Sequence, residues 1–189
     1  AENPLELFVG NAGTAARFLA AMVCLGSGVY RLHGVPRMHE RPQAALFKAL
    51  RQLGYSVDSP NDKLPAVIYG AGPKAGVQCN VSIKDSSQFA SALILCGKLS
   101  HWTIGILDES AENSAYVYLT SELIKRFPRN GVFHVDPDAS SASYFWGVDW
   151  LLTRSVQPIP DVADSQVKLA SEQWLNEEWQ IDAQFERFV

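Results

Sequence analysis

The feature that most limits what this chain can become is a recurrence: a short apolar run, a turn of small or polar residues, then a helical stretch, all returning later in the same order. Residues Leu5 to Val9 read as a candidate buried strand. GNAGTAARFLAAMVCLG follows, with Phe18, Leu19, Met22 and Val23 at helical spacing and Gly26 at the end. VYRLHG alternates as a strand does, and GVPRMHERP is expected to be a loop, since Pro36 and Pro42 break both periods. QAALFKALRQLG predicts a helix whose Leu46, Ala49, Leu50 and Leu53 share one face; strands are expected at Tyr55–Asp58 and Val67–Tyr69. Then the order restarts. VQCNVSI alternates through Val77, Cys79, Val81 and Ile83, SSQFASALILCGKL predicts a helix, HWTIGIL a strand and NSAYVYLTSELIKRF another helix. The two helix starts, at Asn11/Ala12 and Asp85/Ser86, lie 74 positions apart, and a third pass opens with GVFHV and DASSASYFWGVDWLL. A period of that length exceeds a solenoid repeat and suits α/β subdomains stacked around a shared helical core.

Bulk properties narrow the function. With 189 residues, 47% apolar and 19% charged, the chain can hold a real core in one or two domains and is not a disordered tail. Cys24, Cys79 and Cys96 form no C-x-x-C pair and have no His at metal spacing, so a zinc site or disulfide framework is not expected, and a reducing compartment is. No apolar run approaches the ~20 residues that span a bilayer, and no leader-like segment opens the chain. The net charge of −4 argues against a general nucleic-acid binder. It averages two unlike stretches: residues 1–130 carry 13 basic and 10 acidic side chains, and residues 131–189 carry 3 and 10, with four of the five Trp. The apolar run so close to Ala1 reads as a strand already under way, the expectation for a piece of a longer chain.

Each pass joins strand to helix through a turn of one kind: GNAGT, KDSSQ, DPDASS. Free N–H groups and the positive end of the helix dipole make such turns natural anion sites. Ser and Asp there are equally ordinary N-caps.

Four segments, NAGTAAR at 11–17, GVPRMHERP at 34–42, DSSQFASAL at 85–93 and DASSASYF at 138–145, together resemble 5-enolpyruvylshikimate-3-phosphate synthases, in that family's order and over roughly residues 5–150. The resemblance implies an α/β (α+β) fold of repeated βαβαββ units in the inverted α/β architecture of enolpyruvyl transferases, about half of a two-domain protein. Residues 1–135 would be two such units and 136–189 the crossover and incomplete start of a second domain. The implied reaction moves the enolpyruvyl group of phosphoenolpyruvate to the 5-hydroxyl of shikimate 3-phosphate and releases phosphate. It calls for no cofactor or metal and no nucleic-acid or membrane partner, only the two small substrates and the remainder of the chain, in the cytoplasm.

By the same resemblance, Gly13, Arg37 and Gln88 would bind phosphoenolpyruvate. Ser86, Ser87, Gln88, Asn113 and Tyr116 would bind shikimate 3-phosphate, Asn113 standing where the family usually has Ser. A guanidinium fork such as that of Arg37 can hold a carboxylate or phosphate through two parallel bonds. Gly13 would lie against the ligand, where a Cβ intrudes. Asn11, Thr14, Arg17 and Arg41 would support the site. Arg17 either adds to its positive charge or anchors the loop, and Arg41 is expected to pair with Glu40. Phe18 stands where the family often has Pro. No catalytic residue is expected in this chain, because the family's acid–base groups fall upstream of residue 1 and downstream of Val189. Tyr144, Phe145, Trp146 and Trp150 have the spacing of a core face, and His33, His39, His101 and His134 fit structural or surface roles. Two alternatives stand beside this reading. One is UDP-N-acetylglucosamine enolpyruvyl transferase, disfavoured because none of the three Cys has a reactive setting. The other is a non-catalytic anion-binding or interaction module.

Overall fold

Parallel strands need a long crossover, and both passes of the chain supply one as a helix. In the computed structural model, strands β1 (Leu5–Phe8) and β2 (Ser27–His33) pair in parallel, Leu5 opposite Tyr30 and Phe8 opposite His33, with helix α1 (Gly13–Met22) between them. The short α2 (Pro36–Glu40) and then α3 (Ala44–Gln52) lead to β3 (Ser56–Asp58) and β4 (Ala66–Ala71). Strand β4 runs antiparallel to both β2 and β3, giving a sheet of order β1-β2-β4-β3. Apart from α2, this is a complete βαβαββ unit. The second pass pairs β5 (Gln78–Ser82) in parallel with β6 (Thr103–Leu107) through α4 (Gln88–Ser100), and α5 (Ala111–Arg126) follows. The structure describes residues 3–108 and 110–127 and the isolated positions 132, 141, 143–145, 147 and 148. The chain divides into two units, Ala1–Lys125 and Arg126–Val189.

The clearest periodic patterns give the core. Leu46, Ala49, Leu50 and Leu53 are all fully buried, joined by Phe47, Leu32, Met38 and Ile68. Each such large side chain contributes about 1.5–3 kcal/mol through removal from water. The β5 alternation holds as well, with Cys79, Val81 and Ile83 buried. Between the two passes, α1 packs on α4, and Gln52 on α3 accepts the Asn80 N–H of β5 at 2.7 Å. Thr120 of α5 donates to Ser91 Oγ of α4 at 2.8 Å in a buried contact.

Four expectations need correction. β1 is an edge strand, so Leu5 and Phe8 are exposed instead of buried. In α1 Phe18 and Leu19 are only partly buried and Met22 is exposed, though Val23 is buried; the most buried face is Ala16, Arg17, Ala20 and Ala21, whose small side chains let the helix lie close against α4. GVPRMHERP is not wholly loop: Pro36 sits in the first turn of α2, where its missing N–H costs nothing. Tyr144 and Phe145 are exposed, so their apolar spacing does not mark a buried face. Trp146, Trp150, His134 and most of 128–189 lie outside the described residues, and with them the third pass and the proposed crossover.

Candidate functional site

The turn after β1 is held from three sides. Its own backbone closes through Ala12 N–H to the Val9 carbonyl at 3.0 Å, and Val35 N–H donates to the Gly10 carbonyl at 3.0 Å. That second contact needs Gly34, where a Cβ would stand 2.3 Å from the Gly10 oxygen. The third hold is Arg41, whose Nη1 donates to the Asn11 carbonyl at 3.2 Å. The segment carrying α2 is thereby pinned over the start of α1.

Helix α1 opens at Gly13 with Ala12 as an N-cap that offers no side-chain acceptor, and its first turn contains no acidic residue. Helix α4 opens at Gln88 behind Ser87, likewise with no acidic residue in its first turn. Both positive helix ends therefore lack a neutralising carboxylate of their own first turn. Ser86 Oγ accepts the Gln88 N–H at 3.3 Å, so Ser86 does act as a local cap. Ser86 and Ser87 are half-buried.

One side chain ties the two helix starts together. Arg17 is 4% exposed, lies with its guanidinium carbon 5.1 Å from the centre of the Phe89 ring, and donates from Nη1 to Gln88 Oε1 at 2.7 Å. Gln88 Nε2 in turn donates to Thr14 Oγ1 at 3.1 Å, on the first turn of α1. The Nε of Arg17 is buried and has no partner among the described residues. Burial, and then the charge of Arg41, lower the Arg17 pKa from its ordinary value. The charge of Arg41 is thus felt at Arg17, beside helix starts that carry no acidic residue in their first turns.

The remaining site candidates sit as follows. Gly13 is buried, and a Cβ on it would stand 2.5 Å from Arg41 Nη1, so its lack of a side chain makes room for that guanidinium. Arg37 is exposed on α2 and pairs with Glu40 at 2.5 Å. The expected Arg41–Glu40 pair is therefore not formed: positions 37 and 40 share a face of α2, while Arg41 caps its end and turns toward Asn11. Asn11 is exposed and meets Arg41 through its carbonyl. Tyr116 is exposed on α5. Asn113 belongs to the same helix, and its side chain lies outside the described residues. The described contacts bring together Asn11, Gly13, Thr14, Arg17, Arg41 and Gln88; they do not join Arg37 or Tyr116 to that group.

Histidine and cysteine chemistry lies elsewhere. His33 approaches Glu6 at 3.2 Å and stacks obliquely on Phe8, His39 Nε2 accepts the Gly34 N–H at 3.1 Å, and His101 ends α4. All three cysteines are buried, and burial pushes their thiols up, to about 12 for Cys24 and about 11 for Cys79 and Cys96. They stay protonated at neutral pH, unlike a reactive cysteine. Among the described residues no group of three potential metal ligands occurs, and no helix is long and apolar enough to cross a membrane.

Residues 1–130 match the family model for EPSP synthase (3-phosphoshikimate 1-carboxyvinyltransferase). The chain belongs to the EPSP synthase family. It is 40% identical over 167 residues to the 3-phosphoshikimate 1-carboxyvinyltransferase of Vibrio campbellii, covering 75% of this chain and 38% of that relative. The enzyme of that name from Paraburkholderia phytofirmans is 31% identical over 210 residues, covering 92% of this chain and 48% of the relative. In fold, the chain is similar to EPSP synthase from Acinetobacter baumannii, with a TM-score of 0.55 and 20% identity, over 77% of this chain and 36% of that one. The chain thus spans less than half the length of these relatives.

As an EPSP synthase family member, the chain shows one arrangement that residue reading left open. Arg17 had two candidate roles, and its side-chain bond crosses to Gln88 on α4. The available signal was an Arg inside an otherwise apolar helical face, since a buried guanidinium requires partners.

Proposed function

We propose that this chain is the anion-binding part of an enzyme that transfers the enolpyruvyl group of phosphoenolpyruvate to the 5-hydroxyl of shikimate 3-phosphate, releasing phosphate. The observation that carries this reading is the convergence of the α1 and α4 starts under Arg17 and Arg41, bridged by Gln88. Both substrates are polyanions, and rigid donors at helix starts suit them. Gly13, Arg37 and Gln88 take phosphoenolpyruvate; Ser86, Ser87, Gln88, Asn113 and Tyr116 take shikimate 3-phosphate. Arg37 reaches its ligand by exchanging Glu40 for the substrate carboxylate or phosphate. Proton transfer at phosphoenolpyruvate C3 and at the acceptor hydroxyl needs positioned acids and bases. None of the residues in this anion-binding group is assigned that role, so the segment binds without turning over. The setting is cytoplasmic and the partners are small molecules.

The test is titration of the purified 189-residue chain with shikimate 3-phosphate, phosphoenolpyruvate and UDP-N-acetylglucosamine, alongside a phosphate-release assay. The expected result is weak binding of shikimate 3-phosphate, on the order of millimolar, with no phosphate released. Phosphate release from the two substrates together would overturn the binding-only assignment. Preference for the UDP-sugar would overturn the acceptor.

A further inference from the structure

We propose that Arg17 is a positioning residue that decides which end of the Gln88 side chain the anion site meets. The inference rests on the reading of Gln88 as a phosphoenolpyruvate ligand and adds a physical cause for its orientation. A Gln amide has a donor end and an acceptor end of nearly the same shape, and only one of them suits an anion. Left free, the amide turns between the two.

Arg17 removes that freedom. A guanidinium has donors and no acceptor, so it can bond only Oε1 of Gln88, as it does at 2.7 Å. Nε2 must then face away from Arg17, toward the first turn of α1, where it meets Thr14 Oγ1 at 3.1 Å. Arg17 is itself held: it is 4% exposed, its guanidinium lies over the Phe89 ring, and Phe89 is the residue next to Gln88 on α4. Phe89 of α4 therefore helps locate the Arg, and its neighbour Gln88 is oriented by it. Thr14 Oγ can release Nε2 by turning about χ1, leaving a donor aimed at the turn while Oε1 stays committed to Arg17. The residue spacing across the two passes makes this a bond between repeats, so it also sets the register of the two helix starts.

The experiment uses the chain with isotope-labelled glutamine side chains, in the wild type and in Arg17→Met, Arg17→Lys, Gln88→Ala and the Arg17→Met/Gln88→Ala double variant. In the wild type the two Gln88 Nε2 protons are expected at positions displaced from those of an exposed glutamine, with slowed solvent exchange and a contact to the Thr14 side chain. In Arg17→Met both protons move to the positions and fast solvent exchange of an exposed glutamine side chain, and that contact disappears. Phosphoenolpyruvate affinity falls about tenfold in Arg17→Met and in Gln88→Ala, and the double variant loses no more than Gln88→Ala alone. Unchanged Gln88 amide signals in Arg17→Met, or losses that multiply in the double variant, overturn the proposal. Should Arg17→Met fail to fold, Arg17→Lys decides. A single donor of different reach gives shifted Gln88 signals and an intermediate affinity, and wild-type signals with wild-type affinity overturn it. If the wild type does not bind phosphoenolpyruvate, the substrate reading has failed, and the amide signals still decide whether Arg17 orients Gln88.

Discussion

Arg17 and Gln88 stand 71 positions apart in the chain and 2.7 Å apart in space, one on the first helix of each repeat. Each repeat alone supplies a helix start of ordinary kind. This bond joins the two starts, and Arg41 holds one of them through the Asn11 carbonyl. The proposed anion site is therefore a property of the pair of repeats, and changes that leave each repeat folded should still weaken it.

Gly13→Ala is the sharpest such change. A Cβ there would lie 2.5 Å from Arg41 Nη1, and the obstacle is the far end of a flexible side chain, which can swing away. The fold should survive, with a melting temperature within about 4 °C of wild type, corresponding to roughly 1 kcal/mol in a chain of this size. Arg41 loses its hold on the Asn11 carbonyl, and phosphoenolpyruvate affinity should fall by roughly tenfold or more. Thermal melts with parallel titrations check both halves. A collapsed melting temperature with retained affinity per folded molecule would give Gly13 a structural role only.

Arg37→Ala separates surface pairing from ligand binding. Arg37 and Glu40 are both exposed, and an exposed ion pair contributes little to stability. The melting temperature should not change, while phosphoenolpyruvate binding weakens. Glu40→Gln should have the opposite effect on binding, since it frees the guanidinium from a competing carboxylate. Equal affinity in Arg37→Ala and wild type removes Arg37 from the site.

How much of this was legible from residues alone follows from range and polarity. The α3 face could be read because four large or small apolar residues repeat at helical period, and β5 because its apolar residues alternate. The two helix starts were placed within three residues by their turns. In α1 the apolar spacing marked the helix, and of the residues at that spacing Met22 alone is exposed, while Ala16, Arg17, Ala20 and Ala21, whose hydrophobic signal is weaker, form the most buried face. Pro36 was read as a breaker, although in the first turn of α2 it needs no N–H. The partner of Glu40 depended on that helix being there. An Arg within an apolar helical face showed that Arg17 needs a partner, but tertiary packing alone brings the two helices together and decides that the partner is Gln88.

Alkaline pH should destabilise the fold through the buried thiols. Burial is the main cause that raises Cys24 from 9.0 to about 12, and it raises Cys79 and Cys96 to about 11. Unfolded thiols release their protons near pH 9, whereas folded ones keep them, so the folded state binds more protons above that pH. The associated stability is complete below about pH 9 and is lost as pH rises toward 11–12. The limiting slope is about 1.4 kcal/mol per pH unit for each thiol. Urea unfolding at pH 8 and at pH 10.5 measures it. Cys24→Ala should show a shallower decline across that interval, and an unchanged slope would assign the alkaline loss to other groups.

Gln43 offers a stabilising substitution away from the anion site. It is 1% exposed at the N-cap of α3, its side chain makes no capping bond, and both Oε1 and Nε2 are buried with no partner among the described residues. Each unmade bond leaves a desolvated polar group whose cost is about 1–3 kcal/mol. Methionine has similar length and flexibility and carries no such groups, so Gln43→Met should raise stability by about 1–2 kcal/mol. Leu46 and Phe47, one turn along α3 from Gln43, are fully buried and suit an apolar neighbour such as a thioether. Urea denaturation should show a higher midpoint with an unchanged slope, and substrate titrations should match wild type. A lower midpoint would mean that the Gln43 amide is hydrogen-bonded in solution, with water inside the core as its partner.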